Sequence, residues 1–288
     1  VRIRLDSFGD KLAQRLADIE AGRITPAAPR DAATVMVLRP GGVGDGRGGA
    51  GVEVLMLRRV AAMKFAPGAY VFPGGSVDPA DSDPEIGWHG PAPAEFGARL
   101  GASAEMARAL VCAAVRETFE ESGVLLAGPP GGGSPAAASG PSWEADREAL
   151  TDGTVTLAEL LSRRGLVLRA DLLVPWARWI TPEGEPRRFD ARFFAAALPA
   201  DQVVTGHAAE SDHIAWLRPA DAIAAARAGE ISLFPPTATT LNDFAGSGAN
   251  TVAGLLAAPR LIEPVMPRLV REDGQAWLYL PDEVGYPL

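Results

Sequence analysis

One cysteine, Cys112, is all the chain has, so an intramolecular disulfide is excluded. It sits among apolar residues and reads as a small core side chain. Histidine is nearly as scarce. His89, His207 and His213 show no metal-ligand spacing, and without a Cys/His cluster a zinc centre is not indicated. Lysine occurs only at Lys11 and Lys64. The net charge of -9 leaves no basic excess, which argues against nucleic-acid or anionic-membrane partners. No apolar run approaches the roughly 18 residues that a membrane span needs. The N-terminal stretch is amphipathic and lacks the apolar segment of a signal peptide, so a cytoplasmic protein is expected.

What the chain does have is a large apolar fraction. Of its 288 residues, 47% are hydrophobic and 22% charged, enough for a sizeable core. Phe8, Leu12, Leu16 and Ile19 form one stripe and predict a helix over 6–22. Residues 32–38 and 52–58 read as two strands of a hairpin with a glycine-rich tip. That tip is no phosphate-binding loop, because it lacks Gly-Lys-Ser/Thr and leads into a strand. A short strand at 69–72 ends in Pro73-Gly74-Gly75. Residues 77–101, rich in Pro, Asp and Gly, read as a surface excursion. Ser103 is a natural N-cap and Gly123 a natural stop for a helix over 103–121. Residues 128–142 are of low complexity and read as mobile. Helix is expected over 144–164, 219–228 and 237–245, and strand over 172–181 and 192–197. Helices and strands mix without regular alternation, which predicts an α+β fold.

The chemistry concentrates in Arg116-Glu117-Thr118-Phe119-Glu120-Glu121-Ser122-Gly123. Glu117, Glu120 and Glu121 stand at i, i+3 and i+4 and so share one helix face. Three neighbouring carboxylates repel one another unless a cation intervenes, and magnesium prefers such hard oxygen ligands. Taken alone, the same run also fits a solvated acidic face. Arg116, four residues before Glu120, can orient it through an ion pair.

Together with Phe72-Pro73-Gly74-Gly75 upstream, this run resembles the Nudix hydrolase signature, G-x5-E-x7-R-E-U-x-E-E-x-G-U, where U is apolar. Gly75 matches its first glycine. Arg116, Glu117, Phe119, Glu120, Glu121, Gly123 and Val124 match its second half. Two departures stand out. Asp81 replaces the first glutamate, and 34 residues separate it from Arg116 where the pattern has seven, so 27 are inserted. The resemblance implies a mixed sheet flanked by helices as an α/β/α sandwich. It implies residues 1–30 as an N-terminal helical segment and 31–230 as the hydrolase domain, with the insertion at about 82–112. Residues 231–288 would extend that domain by a helix and an edge. It also implies Mg2+ or Mn2+ held by Glu117, Glu120 and Glu121. Arg116 would position a glutamate, and Gly74 and Gly75 would turn the backbone tightly at the site. Metal ions neutralise a diphosphate and lower the pKa of bound water, and a carboxylate accepts its proton. Glu120, Glu121 and Glu210 are the candidates for that base.

For the substrate, residues 55–75 resemble a degenerate coenzyme A diphosphatase motif. Arg59, Gly68, Phe72, Pro73, Gly74 and Gly75 keep its spacing, and Lys64 stands where it has arginine. Residues 172–198 and 231–237 are similar to a peroxisomal-type Nudix branch that carries a long insertion in its motif. Coenzyme A or acyl-CoA is therefore the expected substrate, bound through Arg59, Lys64, Gly74, Gly75 and Arg188. Arg187, Arg188 and Arg192 alternate with Phe189, Phe193 and Phe194, so phosphate grips and adenine-stacking rings are expected among them. Competing readings are a pyrophosphatase for NADH, FAD or ADP-ribose, and a noncatalytic ligand-sensing module of the same fold. The expected partner is a small nucleotide, and a homodimer through the terminal segments is an expectation without a motif behind it.

Overall fold

The computed structural model describes residues 1–5, 9–42, 51–60, 68–206, 211–258 and 260–288. The chain opens with β1 (Arg2–Arg4) and α1 (Gly9–Glu20), then β2 (Arg30–Pro40), β3 (Val52–Arg59), β4 (Ala69–Val71) and β5 (Gly74–Ser76). A 3-10 turn at Pro79–Ser82 leads to β6 (Trp88–His89), α2 (Pro93–Leu100), α3 (Ala104–Ser122) and β7 (Ala127–Gly128). Next come α4 (Pro141–Thr151), α5 (Leu157–Arg164), β8 (Val167–Arg169), β9 (Val174–Ile180), β10 (Phe189–Ala197) and β11 (Ser211–Leu217). The chain closes with α6 (Pro219–Arg227), β12 (Ser232–Leu233), α7 (Pro235–Gly246), α8 (Val252–Leu256), β13 (Pro264–Val265), β14 (Arg268–Glu272) and β15 (Gln275–Tyr279).

The main sheet runs β12-β4-β3-β2-β10-β9-β13, with β11 also on β3 and β5 also on β2. Its centre is the parallel pair β2 and β10, from Arg30 opposite Phe189 to Leu38 opposite Ala197. Most other pairings are antiparallel, so the sheet is mixed, as the family resemblance implies. β2 is apolar on both faces because both are covered. Ala33, Val35 and Val37 pack with α3, while Met36 and Leu38 pack with α6, α7 and α8. The result is the expected α/β/α sandwich. The 32–38/52–58 hairpin also forms, although its strands pair only from Leu38–Pro40 to Val52–Val54. Below that point they part. Residues 69–76 fill the gap, β4 bonding to β3 and β5 to β2.

α3 is buried along nearly its whole length. Ser103 Oγ accepts from Met106 N–H at 3.1 Å, and Gly123, with φ 72°, ends the helix by donating to Phe119 O. Alanines 107, 109, 113 and 114 let neighbours approach closely from several sides. One side meets the sheet. The other meets a lobe made of α4, α5 and the small sheet β6-β8-β7, through residues such as Leu126, Leu160 and Leu168. Cys112 lies inside this layer, and burial pushes its thiol up to about 12, so it is an inert core residue. β1, β15 and β14 form a separate antiparallel sheet on which α1 packs through Leu12 and Ala13. Among the described residues no helix is long and apolar enough to cross a membrane.

Three expectations need correction. The helix expected over 144–164 is two, α4 and α5, because Gly153 turns with a positive φ of 70° and Thr156 caps a new start. Residues 77–101 are not only a surface excursion, since they fold into a 3-10 turn, β6 and α2, and bury Ile86, Phe96 and Leu100. Their Pro- and Gly-rich composition hides three anchors spaced too irregularly to show a period. Arg108 of α3 holds this stretch by donating to the carbonyls of Pro84 and Ile86 at 3.0 and 2.5 Å. Residues 128–142 likewise are tied down. Ala136 N–H donates to Ala127 O at 2.9 Å, and its own carbonyl accepts from Gln202 Nε2 at 2.7 Å.

Because α3 is packed on both sides, a cavity in its middle cannot relax. Leu110→Ala should lower stability by about 2–5 kcal/mol, read as a shift of the urea midpoint at unchanged slope.

Candidate active site

The acidic turn at the end of α3 meets the β4–β5 segment and the 3-10 turn that follows it. Arg116 is the junction. Its Nε and Nη2 donate to the two oxygens of Asp81, both at 2.9 Å, and Nη2 also donates to Ser76 O at 2.9 Å. Nη1 reaches Glu117 Oε1 at 2.8 Å and Glu120 Oε1 at 3.3 Å. Asp81 is 1% exposed and also accepts from Asp78 N–H at 2.8 Å, closing a capping box around its turn. Burial works against the Arg116 cation, but the Asp81 hydrogen bonds and the charges of Glu117, Asp81 and Glu120 outweigh it. The guanidinium is held above its ordinary pKa.

The two glycines are there for closeness. A Cβ on Gly74 would collide with Ala33 O, and one on Gly75 would overlap the Glu117 carboxylate. Gly74 N–H donates to Glu121 Oε2 at 3.0 Å. Backbone and acid helix thus touch directly at this spot.

Beside this junction opens a cleft of about 690 Å³. Arg59, Gly74, Gly75, Ser76, Glu117 and Glu121 are among its lining residues. Much of the rest of its lining is apolar, from Trp179, Phe193 and Leu233 of the main sheet to Ile3, Leu269 and Leu278 of the terminal sheet. Glu120 instead lies beside Arg116 and is not among the lining residues. Arg59 Nε is buried and has no hydrogen-bond partner among the described residues.

The alternation along β10 sorts Phe189, Arg192, Phe193 and Phe194, while Arg187 and Arg188 belong to the turn before it. Phe189 and Phe193 line the cleft, while Phe194 is buried on the α3 side. Arg192 is buried in ion pairs with Asp31 at 2.5 Å and Asp190 at 3.1 Å. Arg188, expected to bind substrate, donates to Thr181 O at 2.9 Å and Ala27 O at 2.7 Å and does not line the cleft. Arg187 does line it. Lys64 and Glu210 lie outside the described residues. Glu185, which sequence reading passed over, also lines the cleft. Burial raises its carboxyl above the ordinary range, with Arg15 pulling the other way. Nothing in its local sequence marks it. Its place follows from the turn between β9 and β10.

Among the described residues, no three acidic, histidine or cysteine side chains converge as a ready-made metal centre. The donor set nonetheless suits a hard cation. Glu117 and Glu121 supply carboxylate oxygens at the cleft, with the Gly74-Gly75 backbone against them.

Comparison with known proteins accords with this layout. Residues 98–243 match the family described as the NUDT19 Nudix domain. The chain is 31% identical to putative nudix hydrolase 7 of Caenorhabditis elegans over 184 residues, 64% of this chain and 52% of that protein. It is also 31% identical to acyl-coenzyme A diphosphatase NUDT19 of Homo sapiens over 225 residues, 65% of this chain and 58% of that one. The chain therefore spans little more than half the length of these relatives. A crystal structure of a Nudix hydrolase from Alicyclobacillus acidocaldarius superposes with a TM-score of 0.63 at 28% identity, covering 82% of this chain and 98% of that one.

Two substitutions test the junction. Gly75→Ala should displace Glu117, weakening divalent-cation binding in a calorimetric titration while the fold is kept. Asp81→Asn leaves a largely buried guanidinium without its main counter-charge. It should cost on the order of 3 kcal/mol in urea denaturation.

Proposed function

This chain belongs to the Nudix hydrolase family, and on that premise we propose that it hydrolyses the diphosphate of coenzyme A or its acyl thioesters with the help of Mg2+ or Mn2+. One observation carries the reading. Two carboxylates of the acid turn, the Gly74-Gly75 backbone and Arg59, whose Nε has no hydrogen-bond partner among the described residues, line one cleft together with many apolar side chains. A molecule with a charged diphosphate and a long, weakly polar arm has the matching shape.

In this reading Glu117 and Glu121, which line the cleft, would hold the metal, and Glu120 beside Arg116 would complete the carboxylate set. When bound, a divalent cation would supply charge neutralisation at the diphosphate and a more acidic water. Arg116 fixes Glu117 and Glu120 through its Nη1, while Asp81 and Ser76 O hold Arg116 itself. Glu121 is the best-placed proton acceptor, because it lines the cleft and its Oε2 is oriented by Gly74 N–H. Arg59 and Arg187 supply guanidinium donors for phosphate oxygens. Water adds to one phosphorus and the bridging P–O bond breaks, so the two products each carry a phosphate. Pantetheine and an acyl chain would lie against Trp179, Phe193, Leu233 and Leu278, where burial of each methylene contributes about 0.8 kcal/mol.

A second reading has an observation of its own. Trp179, Phe189 and Phe193 offer flat rings on which the second base of NADH, FAD or ADP-ribose could stack. A noncatalytic module accounts less well for the retained glutamates of the turn.

The deciding measurement is a panel of CoA, an acyl-CoA, NADH, FAD and ADP-ribose with Mg2+ or Mn2+, products being weighed by mass spectrometry. CoA and acyl-CoA should be cut to phosphopantetheine species, and chelation should abolish turnover. Glu121→Gln should lower kcat by about 10²-fold or more. Turnover of dinucleotides alone would move the substrate to the second reading, and near-wild-type turnover by Glu121→Gln would reject its role as base.

A further inference from the structure

α4 carries a cation that the reaction as described leaves unused. Arg147 is 1% exposed. Its Nε donates to the carbonyl of Glu120 at 2.8 Å, and its Nη1 donates to Thr205 Oγ1 at 2.8 Å. Glu144, one turn earlier on α4, stands 3.4 Å from Nη1. Nη2 is buried and has no hydrogen-bond partner among the described residues. Thr205 is itself tied to the acid helix, its N–H donating to Ser122 O at 2.9 Å. Gly123 makes room for this meeting. A Cβ there would come within 2.5 Å of Thr205 Oγ1 and 3.4 Å of Arg147 Nη1.

The support for Arg147 is rigid. Trp143 of α4 packs edge-on to Phe119 of α3 with ring centres 6.3 Å apart. Asp146 bridges Arg163 and Arg164 of α5, both at 2.5 Å, fixing α4 from its other side. The place is also electrostatically particular. The last carbonyls of a helix lack intrahelical donors and carry the negative end of its dipole, so a cation suits them. Burial still lowers the Arg147 pKa from its ordinary value. A buried charge is by itself weak evidence for a role in stability, because its desolvation offsets much of what its partners contribute. This one sits on the backbone of a glutamate in the acid turn.

We propose that Arg147 is a positioning residue for the hydrolysis, clamping the Glu120 carbonyl to Thr205 so that the side chains of Glu120 and Glu121 hold one orientation beside the cleft. The inference rests on the diphosphatase reading. It assigns to the lobe a direct part in the chemistry, although no atom of Arg147 touches substrate. A displacement of about 1 Å in a reacting group can cost about 10²-fold in rate, so a loosened last turn is expected to show in kcat.

Arg147→Met and Thr205→Val test the clamp from its two ends. Both should retain the wild-type far-UV spectrum. Arg147→Met should lower kcat by about 10- to 100-fold with KM nearly unchanged, and Thr205→Val should do so to a smaller extent. Mn2+ binding, read by electron paramagnetic resonance without substrate, should weaken about 10-fold in Arg147→Met, as when outer partners of metal ligands are removed. If Arg147→Met does not fold, Thr205→Val decides. Folded variants with wild-type kcat and Mn2+ affinity overturn the clamp, as does a loss of kcat no larger than the unfolded fraction. Failure of the diphosphatase reading looks different: the wild-type protein would then neither bind Mn2+ nor cut any diphosphate.

Discussion

The pairing of Arg116 with Asp81 holds the site together. It joins the end of α3 to the turn after β5, across an insertion of 27 residues relative to the usual pattern. Because Asp81 is buried and its oxygens are also used by Asp78 N–H, the pair has a fixed direction and not merely a fixed distance. From that anchor Arg116 reaches Ser76 O on one side and Glu117 and Glu120 on the other. Strand, turn and helix are thereby locked in one register. The inserted residues pay no penalty at the site because they leave after Asp81 and return through the first turns of the same helix.

This arrangement also explains the change of acid at position 81. An aspartate suffices when its task is to grip a guanidinium from a 3-10 turn packed directly below it. The carboxylates that face the cleft are longer, and they project from the helix that Arg116 holds. Burial of α3 between the sheet and the lobe supplies the stiffness, and Arg147 extends the same logic to the helix end.

Much of this was legible in the sequence. The spacing of Glu117, Glu120 and Glu121, the Ser103 cap and the Gly123 stop place the acid helix almost to the residue, because helix periodicity and end signals are local. The β2–β3 hairpin follows from its apolar runs for the same reason, whereas the mixed sheet, built on the distant pair β2 and β10, was implied only by the family resemblance. What could not be read is what depends on distant contacts. Arg188 and Arg187 are adjacent and chemically identical, yet one is spent on backbone carbonyls and the other lines the cleft. Both stand in the turn before β10, where no strand period sorts them, and only the fold says which one reaches the cleft. Arg147 gives no sequence signal at all, since its partners are a carbonyl and a hydroxyl from segments on either side of it. The packing of 77–101 was hidden by its composition.

The cleft has two makers that are far apart in the chain. Its reactive mouth comes from the central sheet and α3, while Ile3, Leu269 and Leu278 on β1, β14 and β15 supply part of its apolar wall. On the proposed reading, the carboxylates that would serve the reaction and the wall that would meet the rest of the ligand therefore sit on segments far apart in the chain. Drift in the terminal strands can widen, narrow or recontour the space for the non-phosphate portion of a ligand, and selection on the acid turn need never register the change.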